Sequence, residues 1–97
     1  MDPRPFVLLL GDPYRCGCAL DERDAEIRKV DPARERIARF ADETDVTSLD
    51  MELQSAPLFA LGRHFVIRGV DKVRKAKPWA DLAGRTLPAA TFATWVA

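Results

Sequence analysis

The sequence predicts an α/β domain in which a parallel sheet is flanked by helices. Three observations carry that expectation. Continuous apolar runs, Phe6-Val7-Leu8-Leu9-Leu10 and Phe65-Val66-Ile67, sit between turn residues in the manner of buried strands. Segments with helical spacing of apolar residues separate them. A further β-rich stretch runs from Thr91 to Ala97. Strands that alternate with helices pair in parallel through right-handed crossovers, and helices then cover both faces of the sheet.

The first strand runs from Phe6 to Leu10 between Pro5 and Gly11, and its unbroken apolarity reads as burial on both faces. Gly11 to Tyr14 is a loop. A helix follows from about Cys16 to Val30. Its inner face holds Ala19, Leu20, Ile27 and Val30, its wet face Asp21 to Glu26, and Asp31-Pro32 ends it. Glu35 to Ala41 satisfies two patterns: a helix through Ile37, Ala38, Phe40 and Ala41, or a short strand over Arg36 to Phe40. Thr47 or Ser48 caps a further helix through about Ser55, with Glu52 placed for a capping box. His64 to Arg68 is the second strand, and Pro78 to Leu82 is helical with Pro in its first turn. Trp79, Phe92 and Trp95 belong to the core, since they are not interleaved with charges as stacking platforms are. The last strand is apolar and no helix follows it. The sheet therefore reads as truncated, part of a longer protein.

Ninety-seven residues make one domain, 1–97. A chain of this length buries roughly 60–70% of its unfolded surface, enough for a core with little margin. Fifteen basic residues balance fifteen acidic ones, so net charge gives no general attraction to nucleic acid or membrane. Cys16 and Cys18 are too close for an unstrained disulfide, and with His64 as the single histidine they cannot complete a four-ligand zinc site. Two free thiols fit a reducing cytoplasm. The apolar run after Arg4 is too short for an export signal, and nothing approaches the ~20 residues of a membrane span.

The loop after the first strand occupies the place of a phosphate-binding loop, GxxxxGK[ST]. Counted from Gly11, the second Gly is Cys16, the Lys is Gly17 and the Ser/Thr is Cys18. The ammonium for the β/γ-phosphates and the hydroxyl for Mg²⁺ are both missing. At the end of the second strand, where such ATPases carry an acidic pair, stand Arg68 and Gly69. Both halves of an ATP site are degenerate while the scaffold order is kept, so no cofactor is expected. Arg63, Arg68, Lys72, Arg74, Lys75 and Lys77 make one segment basic, either as a solvated face or as a stripe for phosphates. Paired acids such as Asp21-Glu22 and Asp42-Glu43 read as wet surface. His64 has no Ser or Cys nucleophile beside it in sequence, and Cys16-Gly17-Cys18 is not a redox Cys-x-x-Cys.

The junction before the second strand reads Ala56-Pro57-Leu58-Phe59-Ala60. Pro57 stops the preceding helix, and Gly62 turns the chain into the strand. Leu58 and Phe59 either pack beneath the helix or project outward as an anchor for a partner protein.

The chain resembles the delta subunit of the bacterial DNA polymerase III clamp loader. The matching pieces are Val7-Leu8-Leu9-Leu10-Gly11-Asp12-Pro13-Tyr14, Leu53-Gln54-Ser55-Ala56-Pro57-Leu58-Phe59-Ala60 and Arg63-His64-Phe65-Val66-Ile67-Arg68. They recur in order along nearly the whole chain outside the stretch from Asp31 to Thr47. The resemblance implies an N-terminal P-loop NTPase (AAA+)-like domain without a functional ATP site, non-catalytic, that grips the sliding clamp (the beta subunit) during DNA replication. By position, Leu58 and Phe59 enter a pocket on the clamp and help open its ring, with Ala56 and Pro57 flanking. The helical and collar domains of such a protein are absent here, and with them the contacts to other loader subunits; DNA is met indirectly or weakly. Two alternatives remain open on the residues: a divergent P-loop nucleotide-binding enzyme using Gly11 and the helix after it, and a DNA-binding module using the basic stripe.

Overall fold

The computed structural model describes residues 4–55, 62–73, 75, 77–84, 86–88 and 90–97. Strands and helices alternate along it: β1 (Phe6–Leu9), α1 (Pro13–Val30), β2 (Glu35–Phe40), α2 (Val46–Gln54), β3 (Arg63–Arg68), α3 (Lys77–Ala83) and β4 (Thr91–Val96). Short 3₁₀ turns follow β2 and β3, at Ala41–Glu43 and Val70–Lys72. The three strand pairings are parallel, in the spatial order β1-β4-β3-β2.

That order fixes where the helices go. The step from β1 to β2 crosses the whole sheet, and the chain then returns one strand at a time through β3 to β4. Crossovers of a single hand place α1 on one face and α2 with α3 on the other. The core divides accordingly. Leu49, Leu53, Trp79 and Leu82 pack on Phe65, Ile67, Ala93 and Trp95. Cys16 and Leu20 of α1 pack on Val66 and Val96. Trp95 anchors the larger cluster, with the rings of Phe6 and Trp79 edge-on at 5.2 and 5.6 Å. Trp79, Phe92 and Trp95 are buried, as expected of core aromatics.

The central strands are the most buried ones. β4 is buried along its length, and β3 from His64 to Ile67. β1 corrects the reading of its sequence. It is an edge strand paired only with β4, and Leu8 is 46% exposed, so its unbroken apolar run does not mark burial on both faces. The ambiguous segment is the opposite edge strand, β2. Ile37 faces the core beside Phe65, while Arg39 turns to Glu52 of α2 at 2.8 Å.

Both longer helices begin earlier than the sequence pattern indicates. Asp12 caps α1, its carboxylate accepting from the Arg15 amide at 2.9 Å, and Pro13 takes the first helical position. The inner face comprises Cys16, Leu20, Arg23, Asp24 and Ile27. Val30 is exposed, and Arg23 and Asp24, expected on the wet face, are buried. Asp45 caps α2, accepting from the Ser48 amide at 3.2 Å and the Ser48 hydroxyl at 2.8 Å. The expected Thr47 or Ser48 capping box is not formed, because Asp45 is the cap and both residues lie inside the helix; Glu52 instead pairs with Arg39. Asp45→Ala should therefore lower the thermal midpoint, whereas Thr47→Ala should leave it within error; circular-dichroism melts of the two variants check the assignment.

Candidate functional site

In an open parallel sheet, ligands bind outside the carboxyl ends of the strands where the connections diverge. Here α1 leaves β1 toward one face, and the chain after β3 leaves toward the other. Between them lies a crevice of about 660 Å³ over the end of β4, lined by Gly11, Cys16, Phe40, Arg68, Asp71 and Lys72 among others. A phosphate-binding loop would hold its nucleotide at this place.

No such loop is built. Only Leu10, Gly11 and Asp12 separate β1 from α1, so Cys16, Gly17 and Cys18 lie inside the helix. Cys16 is buried against Val66 and Val96, and Cys18 is exposed. Gly11 takes φ 132° to turn the chain. A phosphate needs the free amides of a helix's first turn. In α1 the Asp12 carboxylate occupies the Arg15 amide, and Pro13 has no N–H to offer. Across the crevice Gly69 adopts a left-handed conformation (φ 76°), and its amide is taken by Val96 O at 2.9 Å.

The described residues of the basic stripe lie toward both rims of the sheet. Arg63 opens β3 at one rim of the sheet, while Arg68 closes it at the other and lines the crevice with Lys72. Lys75 borders an adjoining groove beside α3, which shares Asp42 and Lys72 with the crevice. Arg74 lies outside the described residues.

Ala56, Pro57, Leu58 and Phe59 also lie outside the described residues. What the structure describes is the base of their connection. The Arg63 guanidinium donates to Glu52 O at 2.9 Å and to Ser55 O, and it sits 5.4 Å from the Phe65 ring centroid. It thereby ties the end of α2 to the start of β3. Gly62 O accepts from the Glu35 amide at 2.7 Å, and a Cβ on Gly62 would run into the Asp31 carboxylate. Both ends of the 56–61 connection are thus fixed, at the rim opposite the crevice.

Sequence reasoning missed a polar cluster beneath α1. Asp24 Oδ1 lies 3.1 Å from His64 Nδ1, and His64 Nε2 lies 2.8 Å from Thr94 Oγ1. Arg23 Nε donates to the same Thr94 oxygen at 2.6 Å, and its Nη2 donates to Pro5 O and Ala93 O. Arg34 clasps Asp24 with two hydrogen bonds. The order of atoms is that of a carboxylate–imidazole–hydroxyl triad. His64 and Thr94 are completely buried, however, and Arg23 already fills the hydroxyl's acceptor site, so no substrate reaches it. The donors fix the tautomer. The Arg23 N–H donates a hydrogen bond to Thr94 Oγ1, the Thr94 hydroxyl donates to His64 Nε2, and Nδ1–H donates to Asp24. Burial pushes His64 below its ordinary pKa, and the positive charge of Arg23 adds to that, against the opposing bond to Asp24. Burial raises the Asp24 carboxyl, but hydrogen bonds from Arg34 and His64 outweigh it and hold the group at about 2. The cluster locks the helix to the sheet.

Among the described residues no helix is long and apolar enough to cross a membrane. Compared with known proteins, the chain matches no family model, no curated protein and no solved structure.

The cluster gives stability a defined acid limb. His64 has a depressed folded pKa, so its contribution is complete above the unfolded value near 6.5 and is lost as pH falls below it. Asp24 contributes above its ordinary 3.8, and its share is lost between there and about 2. Urea melts should thus show stability falling from pH 6.5 downward. In His64→Gln the upper part of that fall should vanish while the part near pH 3 persists. An unchanged upper limb would remove His64 as its source.

Proposed function

We propose that this chain is a non-catalytic sliding-clamp-binding domain of the clamp-loader delta-subunit type, built on an AAA+-like scaffold without a working ATP site. The observation that carries the reading is the pinned connection between α2 and β3. The apolar pair Leu58-Phe59 follows a proline break in a segment whose two ends are fixed by Arg63 and Gly62. Fixed flanks at Ser55 and Gly62 lower what a partner must immobilise there, which favours recognition. Two features support the non-catalytic half of the reading. The parallel α/β sheet retains the strand–loop–helix order of a nucleotide-binding scaffold. In the first turn of α1 the Asp12 carboxylate takes the Arg15 amide and Pro13 offers none, which disfavours a phosphate there.

In this reading Leu58 and Phe59 bury apolar surface in a pocket on the clamp, flanked by Ala56 and Pro57. The opened ring is favoured to the extent that these contacts are better in the open state than in the closed one. No residue of the chain performs chemistry and no cofactor is needed. Replication takes place in the cytoplasm, where the exposed Cys18 thiol stays reduced. Contacts with other loader subunits fall to the helical and collar domains that the resemblance implies.

Leu58→Ala combined with Phe59→Ala should weaken binding to a purified sliding clamp at least ~30-fold, about 2 kcal/mol. Surface-plasmon titration measures it, with a thermal melt to show that the fold is kept. Equal binding by the double variant and the parent would remove the assignment.

A further inference from the structure

Three guanidinium groups converge on one carboxylate oxygen at the end of α1. Arg34 Nη2 hydrogen-bonds Asp24 Oδ2, Arg28 Nη2 lies 3.5 Å from it and Arg36 Nη1 lies 3.8 Å from it. One carboxylate cannot serve three cations. Arg34 takes both oxygens and is nearly buried in doing so, with its side chain 9% exposed. Arg28 and Arg36 stand beyond hydrogen-bond length. Their side chains are 65% and 39% exposed, and their donor edges are left to solvent. Both face the same oxygen, at 3.5 and 3.8 Å, so the two guanidinium groups are near each other.

The charge does not balance locally. Arg28, Arg34 and Arg36 bring three positive charges against the single negative charge of Asp24, and burial disfavours a charge on His64. Elsewhere Arg15 pairs with its own Asp12 and Arg39 with its own Glu52. Like charges held this close are stabilised by a further anion. Asp24 and Arg34 are fixed in the interior, so the two outer arginines are presented from a built base rather than as free surface side chains. Planar guanidinium forks set side by side match the tetrahedral oxygens of a phosphate, each fork donating twice.

We propose that Arg28 and Arg36, arranged around the Asp24–Arg34 pair, form a contact for the phosphodiester backbone of a nucleic-acid strand. The contact is distinct from the dispersed segment between Arg63 and Lys77, and it is independent of clamp binding. It reads phosphate and carries no base specificity.

The test is fluorescence anisotropy of the chain with a labelled single-stranded oligonucleotide of about 20 nucleotides, from about 50 to 200 mM salt. The parent should bind with a negative slope of log affinity against log salt. Arg28→Gln with Arg36→Gln should lose about tenfold in affinity at the lowest salt, and its slope should flatten by about 1.4, two single-strand phosphate contacts. Arg28→Lys with Arg36→Lys should keep most of the slope, which a merely structural role would not predict. The exposure of both side chains leaves the fold intact, and a thermal melt confirms it. Clamp binding by the Gln variant should be unchanged. No binding by the parent, an unchanged slope in the Gln variant, or polyglutamate bound as tightly as the oligonucleotide would each overturn the proposal.

Discussion

A buried carboxylate holds this domain together. Asp24 sits on α1, yet through Arg34 and Arg36 it reaches the start of β2, through His64 it reaches β3, and through His64 and Thr94 it reaches β4. Arg23, one residue earlier, adds the residue before β1 by way of Pro5 O. One helical turn thus touches every strand of the sheet. The apolar contribution of α1 is narrow by comparison, with Cys16 and Leu20 on Val66 and Val96, whereas α2 and α3 share the large cluster around Trp95. Removing one partner from a buried ionic cluster leaves the other charged and unsatisfied, which costs far more than the intact pair contributes. The cluster therefore specifies the position of α1 more than it adds to overall stability.

That position shapes both rims of the sheet. At the carboxyl rim α1 starts three residues after β1, capped by Asp12 with Pro13 in its first position, and its first turn lines the crevice over the end of β4. At the opposite rim α1 ends at Asp31, whose carboxylate packs against Gly62 where β3 begins. One helix accordingly borders the crevice at one rim and packs against Gly62, at the base of the 56–61 connection, at the other.

Much of this was legible in the sequence, because strands and helices leave local signals. The parallel sheet, the order of elements and the core role of Trp79, Phe92 and Trp95 follow from apolar runs and spacing. β1 was harder, since an apolar edge strand and an apolar central strand read alike until pairing is known. The start of α1 did carry a signal, an Asp-Pro pair in the cap and first positions, obscured when Gly11 to Cys18 is aligned with a phosphate loop. The Asp24 cluster carried none. Arg23 and Asp24 lie in a charge run that looks solvated, and their partners His64 and Thr94 are 40 and 71 residues away. Only tertiary structure converts that run into an interior.

The central claim is that a scaffold closed to phosphate presents its α2–β3 connection to a sliding clamp. Hydrogen–deuterium exchange, measured with and without purified clamp, tests it most directly. Slower exchange on binding at the amides of 58–61, with the first turn of α1 unaffected, is the predicted result. Slowing confined to Gly11 through Cys18, or no change in the 58–61 amides at saturating clamp, would contradict it.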